Sequence, residues 1–121
     1  GYEEPVSLEM SPGSIKFADV LKELGTGVYL NNVHYLNYSE RISCRVTGMS
    51  RFAALWVENG EIVAPINVMR FDESIFRMLG SNFAGATAER ERIMSTSTYD
   101  QRATDSTLIP GIFVNDFSFT L

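Results

Sequence analysis

Phe52-Ala53-Ala54-Leu55-Trp56-Val57, Glu58-Asn59-Gly60-Glu61 and Ile62-Val63-Ala64-Pro65-Ile66 follow one another without a break, two β-type runs around an Asn-Gly pair. A type I′ turn needs positive φ at both central residues, which asparagine and glycine tolerate and most side chains resist. The stretch therefore reads as a two-residue hairpin. The fold class follows as α+β: an antiparallel sheet built around this hairpin, with two or three short helices packed on or beside it. Pro65 donates no backbone hydrogen bond, so its strand belongs at an edge or turns irregular there. The pattern leaves open whether the sheet closes into a barrel.

Upstream of the hairpin, Val6-Ser7-Leu8-Glu9-Met10 alternates apolar and polar and ends at Ser11-Pro12-Gly13, a short strand running into a turn. Ser14 is placed to cap a helix over Ile15 to Leu24, where Phe17, Val20, Leu21 and Leu24 recur at helical spacing and Gly25 supplies the stop. Gly27-Val28-Tyr29-Leu30 reads as a strand leading into a loop from Asn31 to Ser39. Downstream, Asp72 is placed to cap a short helix through Ile75, Phe76, Met78 and Leu79, ended by Gly80. Asn82 to Ile93 is expected as a third helix, supported by Glu89 and Arg92 at i,i+3 and weakened by Gly85. Ser95 to Thr107 reads as loop. After Pro110-Gly111 a terminal strand is expected, with Phe113, Phe117 and Phe119 on one core-facing side.

The 121 residues carry ten Lys and Arg against fifteen Asp and Glu, a formal charge of −5. A chain of this length buries roughly two-thirds of its unfolded surface and can hold a core as a single domain, 1–121, without disulfide or metal staples. The acidic balance and the lack of a Lys/Arg block argue against a nucleic-acid partner, because neutralising phosphates needs clustered positive charge. No run of 18 apolar residues exists, so no membrane partner is expected. One cysteine, Cys44, excludes an internal disulfide framework and fits a reducing compartment, hence a cytoplasmic protein. Without an initiator Met or a signal-peptide pattern, the chain is expected to begin inside a longer gene.

A self-contained metal site is nearly excluded, since a catalytic zinc takes three protein ligands and the chain offers one His and one Cys. Catalytic residues and metal ligands are therefore expected to be absent from this chain, and with them a cofactor of its own. Gly25-Thr26-Gly27 precedes a strand instead of opening a helix, the wrong context for a dinucleotide fingerprint. Ser39, His34 and Glu40 lack a nucleophile elbow, which leaves a hydrolase built on them as a remote reading. The chemically densest stretch is Asn31-Asn32-Val33-His34-Tyr35-Leu36-Asn37-Tyr38-Ser39-Glu40-Arg41, followed by Arg45 and Arg51. Loops host recognition sites disproportionately, so Asn32, His34, Asn37, Arg41, Arg45 and Arg51 are the candidate substrate-binding residues, the arginines as clamps for a carboxylate or a peptide carbonyl.

Four ordered segments carry a resemblance: Val28-Tyr29-Leu30-Asn31-Asn32; Asn37-Tyr38-Ser39-Glu40-Arg41; Val46-Thr47-Gly48-Met49-Ser50-Arg51; and Trp56 through Pro65. Together with the tail Pro110 to Phe117 they are similar to the C-terminal domain of the TldD/PmbA family, bacterial and archaeal zinc-dependent peptidases and their non-catalytic TldE (PmbA) partners. The resemblance implies proteolysis by a longer protein that acts as a homo- or heterodimer, enclosing a cleft for a peptide or unfolded protein. It implies zinc in that full-length protein or its partner subunit, with two ligands and the general base on a His-Glu-x-x-x-His helix in an upstream domain. The family's third ligand, a Cys, matches the region Met94 to Thr98 here, which holds none. That departure favours a partner-type or divergent member, inactive alone. The alternative is a non-enzymatic binding or assembly module of a parent that has lost peptidase chemistry. The family also carries an older label as modulator of DNA gyrase, which the acidic charge does not support.

Overall fold

The computed structural model describes residues 5–120. Among them the chain passes through β1 (Ser7–Glu9), a 3₁₀ turn at Phe17–Asp19, α1 (Val20–Leu24), β2 (Gly27–Glu40), β3 (Arg45–Glu58), β4 (Glu61–Pro65) and β5 (Arg70–Ser74). A π-helical turn at Arg77–Ser81 then leads into β6 (Phe83–Met94), β7 (Ser106–Val114) and β8 (Phe119–Thr120). The fold is α+β with mostly antiparallel strands, and among the described residues its sheets do not close into a barrel.

The Asn-Gly hairpin forms as its sequence dictates. Asn59 and Gly60 take φ of 50° and 80°, and Glu58 pairs with Glu61 across the turn. The turn is also fastened to the end of α1: the Gly60 amide donates to Gly25 O at 2.7 Å and the Asn59 amide to Thr26 Oγ1 at 3.2 Å. Gly25 ends α1 at φ 66°, its amide donating to Leu21 O. Pro65 closes β4, which pairs with β3 alone and is therefore an edge.

Two sheets result. The larger has the order β2-β3-β5-β8, with β4 beside the far half of β3; the smaller has the order β1-β7-β6, with β1 parallel to β7. The long partners β2 and β3 stay in register through three bulges, each marked by a residue that the period-two pattern cannot absorb. Tyr35 and Phe52 take positive φ at two of them, 52° and 62°. Among the described residues the buried hydrophobic side chains include Ala54, Val57, Phe71 and Ala86, Val57 completely so. Around Phe71 the rings of Phe117 and Phe119 stack edge to tilt, with centroids 5.2 and 4.9 Å apart along the chain of contacts.

Several local readings give way. Asn31 to Ser39 is strand, not loop, because β3 supplies a continuous partner for it. The helix expected over Asn82 to Ile93 is replaced by strand β6 (Phe83–Met94): Arg90 and Arg92 both reach Glu9, at 3.5 and 3.8 Å, which requires two-residue spacing on one face. The Ile15 to Leu24 helix is confined to its second half, and Ser14 is not its cap. Ile15 instead bridges Thr87, its amide donating to Ala86 O and its carbonyl accepting from the Ala88 amide. Asp72 lies inside β5, and the helical turn after it runs past Gly80 to Ser81. The terminal strand is broken. Phe113 belongs to β7 in the smaller sheet, whereas Phe117 and Phe119 pack on the larger.

Candidate functional site

In an antiparallel pair, residues directly opposite each other share a face. Register alone then sorts the candidate residues. Asn32 pairs with Arg51, His34 with Met49 and Asn37 with Thr47 on β2 and β3, and β5 extends two of these rows with Arg70 beside Met49 and Asp72 beside Thr47. Arg45 lies two residues from Thr47, opposite Glu40 and Ser74. Asn32, His34, Asn37, Arg45 and Arg51 therefore line one side of the larger sheet. The opposite side carries Ser50 and Phe71, both buried, with Leu36 and Phe71 meeting over Gly48. Arg41 falls outside this arrangement, in the turn between β2 and β3.

Within the polar face the groups differ in availability. Arg45 is committed: its Nε sits 2.7 Å from Asp72 Oδ1, which also accepts from Ser39 Oγ at 3.1 Å. The Asn37 amide donates to Tyr35 O at 3.3 Å. Arg51 holds its guanidinium 4.8 Å over the Phe52 ring. Arg51 and Arg70 are exposed, and neither meets a carboxylate among the described residues, unlike Arg45, Arg77, Arg90 and Arg92. Arg70 escaped the sequence reading because it lies outside the dense 31–51 stretch; only strand register brings it beside Met49.

The turn beyond this face is held by Glu40, whose carboxylate accepts from the amides of Ile42 and Ser43 at 2.7 and 2.8 Å and from the Ser43 hydroxyl. The Ser43 hydroxyl and amide, then the Ile42 amide, outweigh slight desolvation and lower the Glu40 pKa, with Arg45 helping. Cys44 closes the turn at φ 50°. On the other side of the sheet Glu73 is 3% exposed. Burial would raise its pKa, but the Ser74 and Ser118 amides, the Ser118 hydroxyl and Arg77 more than offset that and hold it lowered.

The outer edge of β2 pairs with no other strand among the described residues, leaving a 14-residue edge bordering the polar face. As for metal, His34 lies within β2 and Cys44 in the turn, and no three His, Cys, Asp or Glu side chains gather among the described residues. This donor set does not fit a catalytic zinc, which takes three protein ligands. No helix among the described residues is long and apolar enough to cross a membrane.

The same fold recurs in solved structures. TldE from Thermococcus kodakarensis matches 95% of this chain with a TM-score of 0.73 at 14% identity. A proposed modulator of a DNA gyrase from Thermotoga maritima matches 97% with a TM-score of 0.68 at 20% identity. The chain spans 24% of each of these proteins, so it corresponds to about a quarter of their length. No curated protein matches it in sequence. The family model described as the PmbA/TldA metallopeptidase C-terminal domain matches residues 3–121. Fold and sequence profile thus agree over nearly every residue, and the chain belongs to the PmbA/TldD family as its C-terminal domain.

Proposed function

We propose that this domain forms one wall of a peptide-processing cleft and part of a subunit interface in a longer cytoplasmic protein, and has no peptidase activity alone. The observation that carries the reading is the open 14-residue edge of β2 beside the polar face. Such an edge offers backbone donors and acceptors to an extended peptide, which adds as a further strand, while neighbouring side chains select among peptides. Asn32 and His34, on β2 itself, lie where they would meet the side chains of that strand; Arg51 on β3 and Arg70 on β5 lie further in on the same face, where an end of the peptide turning across the sheet would reach them; Asn37 and Arg45 shape the surface through their local bonds. Zinc and the general base would come from the upstream domain or a partner subunit, because the donor set here does not suit the metal.

Two measurements test this. Adding an unfolded peptide should shift backbone amides along Gly27–Glu40, and shifts confined to α1 and the π-helical turn would count against it. The chain should leave unfolded peptides intact with zinc present; cleavage abolished by a chelator would refute its inactivity. The alternative, an assembly module whose parent has lost peptidase chemistry, draws on Met94 to Thr98, where Ser and Thr stand and no Cys. Metal analysis of the full-length protein and its partner separates the two, near-stoichiometric zinc favouring the peptidase.

A further inference from the structure

Arg51 and Arg70 are diagonal neighbours on adjacent strands, since Met49 lies opposite Arg70 and Arg51 follows two residues later on the same face. Residues so related are close enough for long side chains to meet at a common point. Two exposed positive charges side by side create a local positive field that an anion placed between them would neutralise. The acid nearest along β5, Asp72, is already held by Arg45. Of the eight arginines, Arg45, Arg77, Arg90 and Arg92 meet carboxylates among the described residues; of the other four, Arg51 and Arg70 are the two that strand register sets side by side on one face. Arg51 is further steadied over Phe52, whose φ of 62° is strained for a bulky residue. Asn32, opposite Arg51, and His34, in the row of Arg70, add hydrogen-bonding groups on the same face.

We propose that Arg51 and Arg70, flanked by Asn32 and His34, form a clamp for a carboxylate carried by a peptide. The planar guanidinium fork matches a carboxylate in two-point contact, and a pair of forks fixes both position and direction of the chain that bears it. The clamp deepens the cleft reading and rests on it for the identity of the carrier. Carboxylates come from a peptide's C-terminus or from an acidic side chain, and both present the same group.

The test uses the full chain and three neutral-bodied octapeptides: one with a free C-terminal carboxylate, its C-terminal amide, and the amide with one internal Glu. Competition anisotropy reads affinity, and NMR reads the Arg51 and Arg70 Nε–H signals together with the β2 amides. The free acid should bind about tenfold more tightly than the amide, the scale of a charge-assisted pair. It should move both arginine signals. Arg51→Gln and Arg70→Gln should each bring the acid to the affinity of the amide while leaving the β2 shifts in place. Recovery of affinity by the Glu-bearing amide identifies a general carboxylate site, and no recovery identifies a C-terminus reader. Acid and amide binding equally, with β2 shifts intact, would overturn the clamp and leave the cleft reading standing. No binding of any peptide would overturn both. The acid-to-amide comparison on the unaltered chain decides the matter even where a variant fails to fold.

Discussion

Glu73 concentrates more structural consequence than any other single side chain. Its carboxylate accepts the Ser74 amide at 2.8 Å, the Ser118 amide at 2.9 Å and Arg77 Nη1 at 3.2 Å, so it ties β5 and the π-helical turn to the segment before β8. Bonds to a buried charged group are among the strongest available, and Glu73→Gln should destabilise the chain by about 2 kcal/mol in urea unfolding at neutral pH. The pH dependence follows from the lowered folded pKa. The unfolded chain binds the proton more readily, so the stabilisation is complete above the ordinary value of 4.5 and fades as pH falls through the folded value. The gap between the original chain and Glu73→Gln should therefore narrow on acidification, and a gap that widens would refute this assignment. At Gly13 the constraint is steric. Any Cβ there would run into the Ala86 carbonyl, while the Gly13 amide donates to Thr87 O at 2.8 Å. Gly13→Ala should cost about 2 kcal/mol by the same measurement. Neither role is visible in sequence: Gly13 reads as a turn residue, and Glu73 as one acid among fifteen.

Among the elements, the hairpin was legible because everything that specifies it is local: two β-prone runs and two residues that accept positive φ. The gap from Asn31 to Arg51 was not, because bulges at Tyr35, Ser39 and Phe52 break the alternation on which strand reading depends. The same cause hid β6. Between Ala86 and Arg90 its pairing with β7 slips, and the freed backbone of Ala86 to Ala88 turns to meet Gly13 and Ile15. Glycine and alanine there resemble a weak helix, yet the alternating signs of Glu89, Arg90, Glu91 and Arg92 were a period-two signal. Thr87 holds this bulge. It is 3% exposed, accepts the Gly111 amide at 2.9 Å and donates to Glu89 O at 2.7 Å. Thr87→Val keeps the shape and deletes both bonds, so it should cost about 2 kcal/mol in urea unfolding. The candidate site was read from residue types alone. Sequence assembled five of its members, but the strand register that sets them on one face, brings in Arg70 and leaves Arg41 aside is a tertiary property.

For the molecule as a whole, the small set of buried apolar residues contrasts with the exposed side chains along β2 and its turn: Tyr35, Leu36, Tyr38 and Ile42 are 73%, 55%, 59% and 93% accessible. A long open edge bearing such side chains is a template for pairing. The isolated chain should therefore self-associate as concentration rises in sedimentation velocity, and Tyr38→Lys, which adds an edge charge, should shift it toward monomer. Unchanged sedimentation would show that β2 is not the adhesive edge. The pairing of β1 with β7 has a different implication. Ser7 lies opposite Ser106, and the segment around Ile15 rests on Thr87, so the smaller sheet joins the beginning of the described chain to its last third. Long-range pairings of this kind close late, after the intervening chain has lost much of its freedom. During synthesis β1 must wait on the ribosome, without its partner, until β7 has cleared the exit tunnel. The larger sheet can gather β2 to β5 well before then, so the order in which the domain matures runs from its middle outward.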